Sequence, residues 1–162
     1  MLLRALASLA SSGVPFQADI VGEDTLSGEI QALAQTLGLL ERVRFRGFVA
    51  HGELQPIVSA AHLMVVSSRH EAGPLVMLEA AALGVPTVGT AVGHVAEWAP
   101  EAALAVPVGD WTQLAAAIRA VASDEALLQS LARVAQQRAC QEDADHTAQQ
   151  FQRLYAQLGA FT

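Results

Sequence analysis

His62-Leu63-Met64-Val65-Val66-Ser67-Ser68-Arg69-His70-Glu71-Ala72-Gly73-Pro74-Leu75-Val76-Met77-Leu78-Glu79-Ala80-Ala81-Ala82-Leu83-Gly84-Val85-Pro86-Thr87-Val88 is the stretch on which the fold turns. His62 to Ser68 reads as a buried strand that closes in a small polar loop. Pro74 to Leu83 is then a helix rich in Ala, Leu, Met and Glu, all good helix formers. Proline suits a first helical turn because it has no amide hydrogen to waste there. Gly84-Val85-Pro86 stops the helix, and Thr87 to Val92 is the next strand. Strand, helix and strand without a hairpin turn form a crossover unit, in which the two strands run parallel.

The same alternation continues on both sides. Upstream, residues 2 to 11 repeat leucine at Leu2, Leu6 and Leu9, which predicts a helix ended by Gly13 and Pro15. Phe16 to Val21 is a strand, Ser27 to Leu37 a helix with Gly38 as its left-handed stop, and Val43 to Val49 a strand of period two. Arg42, Arg44 and Arg46 share one face of that strand, as in a solvated edge protected from aggregation. Glu53 to Ala61 is a short helix. Downstream, Ala103 to Val108 is a short strand, and Asp110 caps a helix from Trp111 to Ala122. Asp124 to Leu158 is polar and helical, with a break near Cys140 to His146. The whole is a Rossmann-like, doubly wound α/β fold: one domain, residues 1–162, with a parallel sheet covered on both faces.

Composition narrows the functions open to it. Hydrophobic residues make up 52% but aromatics only 5%, so the core is built from Ala, Leu and Val. No apolar run is long enough to span a membrane. A net charge of −7 argues against a nucleic-acid partner, which needs a basic surface. Cys140 is the only cysteine, which leaves no internal disulfide and no cysteine-based zinc site. All nine basic residues are arginine, so a mechanism that needs lysine must take it from outside this sequence. A cytoplasmic protein is expected.

In open parallel sheets, ligands bind beyond the carboxyl ends of the strands, where helix amides are free. The Ser67–Pro74 loop sits at such a place. The Leu75 and Val76 amides follow Pro74 and suit an anion such as a diphosphate. Glu71 in the loop and Glu79 within the helix offer two carboxylate acceptors to a ligand rich in hydroxyls. The same pattern is compatible with an ordinary helix start, since an acidic residue there is favoured by the dipole alone.

Taken together, Ser67 to His94 resembles the signature of retaining glycosyltransferases of family 4, which have the two-domain GT-B architecture. The resemblance rests on Glu71, Glu79-Ala80, Gly84-Val85-Pro86-Thr87-Val88, and Gly93-His94 with Glu97 beyond. Ile20-Val21-Gly22-Glu23-Asp24, Val43 to Val49 and the Phe151-to-Leu158 helix have counterparts in order. It implies the C-terminal, donor-binding domain, with the N-terminal acceptor domain absent from this sequence. The implied partner is a nucleotide-sugar, a UDP- or GDP-sugar, transferred as a hexose-type sugar to a hydroxyl with retention. No permanent cofactor and no metal is implied. Any peripheral contact with the inner membrane falls to the absent domain.

Carried onto this chain, the resemblance gives Glu79 the ribose hydroxyls and the Leu75 and Val76 amides the distal phosphate. Glu71 meets the donor sugar near the reacting carbon, as the catalytic residue. Gly47, Phe48 and Val49 line the base pocket. Gly73 and Pro74 shape the helix start, Ser68 the floor, and His70 stands beside the first glutamate. His94 occupies a position where the family often has glycine, and its role is open. His51, His62 and His146 read as structural or solvated. Two departures stand out. Ala72-Gly73 replaces the family's Gly-Phe, and the family's opening strand, with its Gly-Arg…Lys loop, is missing, so a central strand and a basic pair are expected to be lacking. The isolated chain is therefore expected to be inactive. A nucleotide-sugar epimerase half and a degenerate, non-catalytic Rossmann-like binding module are the rival readings.

Overall fold

The computed structural model describes residues 1–142 and 144–159. Its strands are β1 (Ala18–Val21), β2 (Val43–Gly47), β3 (Met64–Val66), β4 (Thr87–Thr90) and β5 (Ala103–Val106). Among the described residues the helices are α1 (Leu2–Ser11), α2 (Glu29–Thr36), α3 (His51–Ser59), α4 (Leu75–Ala82), α5 (Gly93–Trp98), α6 (Trp111–Ser123), α7 (Glu125–Gln141) and α8 (Ala144–Gly159). Every strand pairing is parallel, as crossovers require.

The strands form two ladders. β1 pairs with β2, Ala18 opposite Val43 and Ile20 opposite Phe45, with a register slip that sets Val21 opposite Gly47. β3, β4 and β5 form the second, with Val66 opposite Gly89 and Gly89 opposite Ala105. No ladder joins the two among the described residues. One core nevertheless serves both: Leu3, Leu6 and Leu9 of α1 and Leu114, Ile118 and Val121 of α6 pack with Val43, Val88 and Val106. Ala18, Ile20 and Phe45 meet that cluster from one ladder and Val65 and Leu104 from the other. β4 is buried along its whole length, as the middle strand of its ladder must be.

Local chemistry accounts for most ends. The Asp110 carboxylate accepts from the Thr112 and Gln113 amides and caps α6, as its position predicts. Gly38, at φ +68°, follows α2 in the left-handed region. Arg46 pairs with Asp19 across the β1–β2 ladder at 2.8 Å, and Arg42 lies 5.5 Å from the Phe16 ring centre. The arginine row is thus a partly paired edge. The expected break after Cys140 falls between α7 and α8; Asp143, within it, lies outside the described residues, as do residues 160–162 of the expected domain.

Three expectations are corrected. The Gly93-His94 segment opens α5 rather than a plain loop, because Val95 and Trp98, three apart, both bury completely. Helix α3 starts at His51, two residues before Glu53. Pro74 is the cap of α4, with extended ψ of 110°, and Leu75 is its first helical residue.

Candidate functional site

The carboxyl end of β3 runs into the loop that carries most of the expected residues. Thr90, buried at the end of β4, donates from its hydroxyl to the Ser68 carbonyl at 2.7 Å and ties this loop to the neighbouring strand. Ser68 in turn donates from Oγ to Glu71 Oε1 at 2.8 Å. That bond orients the Glu71 carboxylate while leaving it exposed. His70 is also exposed, between the two.

Pro74 is buried at the head of α4, and its carbonyl accepts the Met77 amide at 2.9 Å. The Leu75 and Val76 amides make no bond to protein among the described residues. Two donors at a positive helix end are thereby left for an anion. The Leu75 side chain is exposed and contributes no core packing. Glu79 is the fifth residue of α4, half-exposed on the same side.

A second loop meets this one. Gly47 ends β2 at φ +64°, a conformation that favours glycine, and its carbonyl accepts from the Gly22 amide. Phe48 then projects with 73% of its surface exposed, and Val49 is half-buried. At the start of α3 the His51 Nδ1 lies 3.7 Å from Glu79 Oε1. The loop after β2 and the Glu79 carboxylate therefore lie at one end of the fold. His51 is largely exposed, so the contact is weak and leaves Glu79 available to a ligand.

The β4–α5 turn forms the third wall. His94 Nδ1 lies 2.9 Å from Glu97 Oε2, and its ring packs over Gly73. Gly93 presses against the Ala72 and Glu71 carbonyls so closely that a side chain there would meet them at 2.7 and 3.0 Å. Below, Trp98 is fully buried with Arg138 5.1 Å from its ring centre.

His51 is solvated, as expected, but its approach to Glu79 was not foreseen, nor was the helical form of the Gly93 turn; residue spacing holds no signal for the first, because it spans elements distant in the chain. The site is an open face rather than a closed pocket. Two surface hollows lie elsewhere, one on α7 around Gln129 and Arg133 and one between the end of α1 and Arg119. Among the described residues no three metal-ligating side chains cluster, and no helix is long and apolar enough to cross a membrane.

The sequence profile described as "Glycosyl transferases group 1" matches residues 1–138, from the first helix through most of α7. This chain belongs to that family. The glycosyltransferase domain is 36% identical over 121 residues to glycogen synthase of Mycobacterium tuberculosis, a match covering 74% of this chain and 29% of that protein. It is 32% identical to the D-inositol 3-phosphate glycosyltransferase of Corynebacterium urealyticum, over 98% of this chain and 39% of the relative. Among solved structures, sucrose-phosphate synthase from Thermosynechococcus elongatus superposes with a TM-score of 0.82 at 30% identity, covering 99% of this chain and 43% of that one. Anabaena HepE in complex with UDP superposes at 0.83 and 26% identity, over 96% of this chain and 44% of HepE. The glycosyltransferase domain thus spans less than half the length of each of these relatives.

Proposed function

We propose that this domain binds the nucleotide-sugar donor of a retaining, family 4 glycosyltransferase that transfers a hexose-type sugar from a UDP- or GDP-sugar to a hydroxyl acceptor. The observation that carries this reading is the convergence of Phe48, Glu79, the free Leu75 and Val76 amides and Glu71 at one end of the sheet. Glu79 takes the ribose hydroxyls, the two amides take the distal phosphate, and Glu71, oriented by Ser68, meets the sugar. Gly47, Phe48 and Val49 line the base pocket. The UDP complex of HepE supports the nucleotide assignment.

The leaving group is a nucleoside diphosphate, so the main catalytic problem is negative charge on phosphate. Preorganised amides address it without reorganisation during the reaction. No metal is required. An acceptor domain outside this chain supplies the other wall of the open face, and a further strand and basic pair complete the sheet and the diphosphate site. The isolated chain binds donor but does not turn it over; the full protein works in the cytoplasm, with any membrane contact made by the other domain.

Amide NMR of the chain, titrated with UDP, GDP and ADP, tests the site. Shifts at Leu75, Val76 and Glu79 are expected with one of the three. Glu79→Ala should weaken that binding tenfold or more, since charge-assisted hydrogen bonds contribute about 1.5–3 kcal/mol. Dispersed spectra that no nucleotide moves would overturn the reading in favour of a non-catalytic binding module. Sugar transfer by the isolated chain would overturn the claim of inactivity.

A further inference from the structure

We propose that His94, held by Glu97, is a positioning residue for the distal phosphate, acting through Gly73; this rests on the reading of the β3–α4 loop as a diphosphate site. The imidazole occupies the space beside Gly73 where a side chain would stand: a Cβ at position 73 would lie 2.6 Å from His94 Nε2 and 3.0 Å from Cδ2. Glu97 fixes the ring from its other nitrogen at 2.9 Å, and the ring lies 6.3 Å from the buried Trp98. Gly93, one residue earlier, is in equally close contact with the Ala72 and Glu71 carbonyls. Residues 71–73 are therefore braced by the β4–α5 turn just ahead of the helix start.

Gly73 immediately precedes the cap Pro74, and Pro74 precedes the two free amides. With φ at Pro74 fixed by its ring, a shift at Gly73 carries directly into the direction of the Leu75 and Val76 amides. His94 and Gly73 are thus complementary in volume. The ring fills the niche from the α5 side, and the small residue opposite is what admits it. A loosened ring frees the loop, and an enlarged residue 73 displaces it.

The test is a double-mutant cycle on the full chain, read by calorimetric binding of UDP and UMP (or GDP and GMP, whichever base binds), with melting temperature measured alongside. Gly73→Ala is expected to weaken UDP by about tenfold through its clash with the ring. His94→Ala, which leaves the loop unbraced, should also weaken UDP several-fold, and Gly73→Ala/His94→Ala should lose no more than the worse single variant, because both changes act on the same contact. UMP, which lacks the distal phosphate, should change by less than about twofold throughout. Additive losses in the double variant would overturn the coupling. Parallel losses of UDP and UMP with a lowered melting temperature would reduce His94 to a packing residue. If neither UDP nor GDP binds the wild-type chain, the diphosphate reading itself fails, and the inference with it.

Discussion

Gly89→Ala tests how tightly the two strands under the site are apposed. Gly89 is the third residue of β4, with β3 on one side and β5 on the other. A Cβ there would stand 2.5 Å from the Val66 carbonyl oxygen and 3.0 Å from the Val66 side chain. The first distance is about 0.9 Å short of the 3.4 Å at which ordinary contact begins. The obstacle is backbone, which cannot swing aside as a side-chain end would. β4 cannot retreat without straining its ladder to β5, so β3 must bow outward. Overpacking of this kind costs about 1–3 kcal/mol, and a weakened ladder hydrogen bond adds about 1 kcal/mol. A loss of roughly 2–4 kcal/mol lowers the melting temperature of a domain this size by roughly 5–15 °C.

Urea unfolding followed by circular dichroism measures the effect, with Gly52→Ala as the control. Gly52 lies early in α3 with no atom within 4 Å of an added Cβ. Alanine there should raise stability by up to about 1 kcal/mol through helix propensity. A Gly89→Ala protein within about 0.5 kcal/mol of wild type, at unchanged m-value, would refute the argument that the β3–β4 spacing is fixed by that glycine.

Leu114→Ala removes a fully buried side chain from the core shared by the two ladders. It should cost about 2–5 kcal/mol and leave a single unfolding transition by two probes, whereas two separated transitions would mean that the ladders do not share a core. Asp110→Ala should lower the melting temperature at pH 7, since it deletes the cap of α6. The Thr112 hydroxyl, followed by the Gln113 amide, holds the Asp110 carboxyl below its ordinary pKa. Its stabilising effect is therefore full above the ordinary carboxylate range and is lost as pH falls through the lower folded value. The melting gap between wild type and Asp110→Ala should close along that acid limb, and a gap independent of pH would contradict the capping account.

The elements that sequence reasoning located are those whose stability is local. The α1 leucines recur at helical spacing, Asp110 stands before a helix it can cap, and Gly38 adopts the left-handed stop its position required. The same reasoning missed α5, because a six-residue helix that begins on a glycine and has no side-chain cap carries almost no local signal. What holds α5 is tertiary: Val95 and Trp98 are buried completely. Glu71, Glu79 and the Leu75 and Val76 amides were legible as a candidate site because one strand, loop and helix present them in sequence. His51 was not, since its approach to Glu79 depends on how α3 and α4 pack. The closeness of His94 to Gly73 was equally invisible, although the two positions are where the chain departs from the pattern it resembles.

The divided sheet has a consequence for where solvent meets the backbone. In a doubly wound domain the outermost strands face water and those at the centre are dry. Here β1 alternates half-buried and exposed residues, and β3 is only partly buried until Val66, while β4 is sealed throughout. The amides of Ala18 in β1 and of Gly22 just after it turn toward the β2 side, and that of Met64 in β3 toward the β4 side. The intervening Asp19, Val21 and Val65 amides, by the alternation of a parallel strand, turn away from any ladder. An unpaired amide must be hydrated or carry an energetic penalty. Those three amides therefore depend on solvent or on another accepting group, even though both ladders pack into one core.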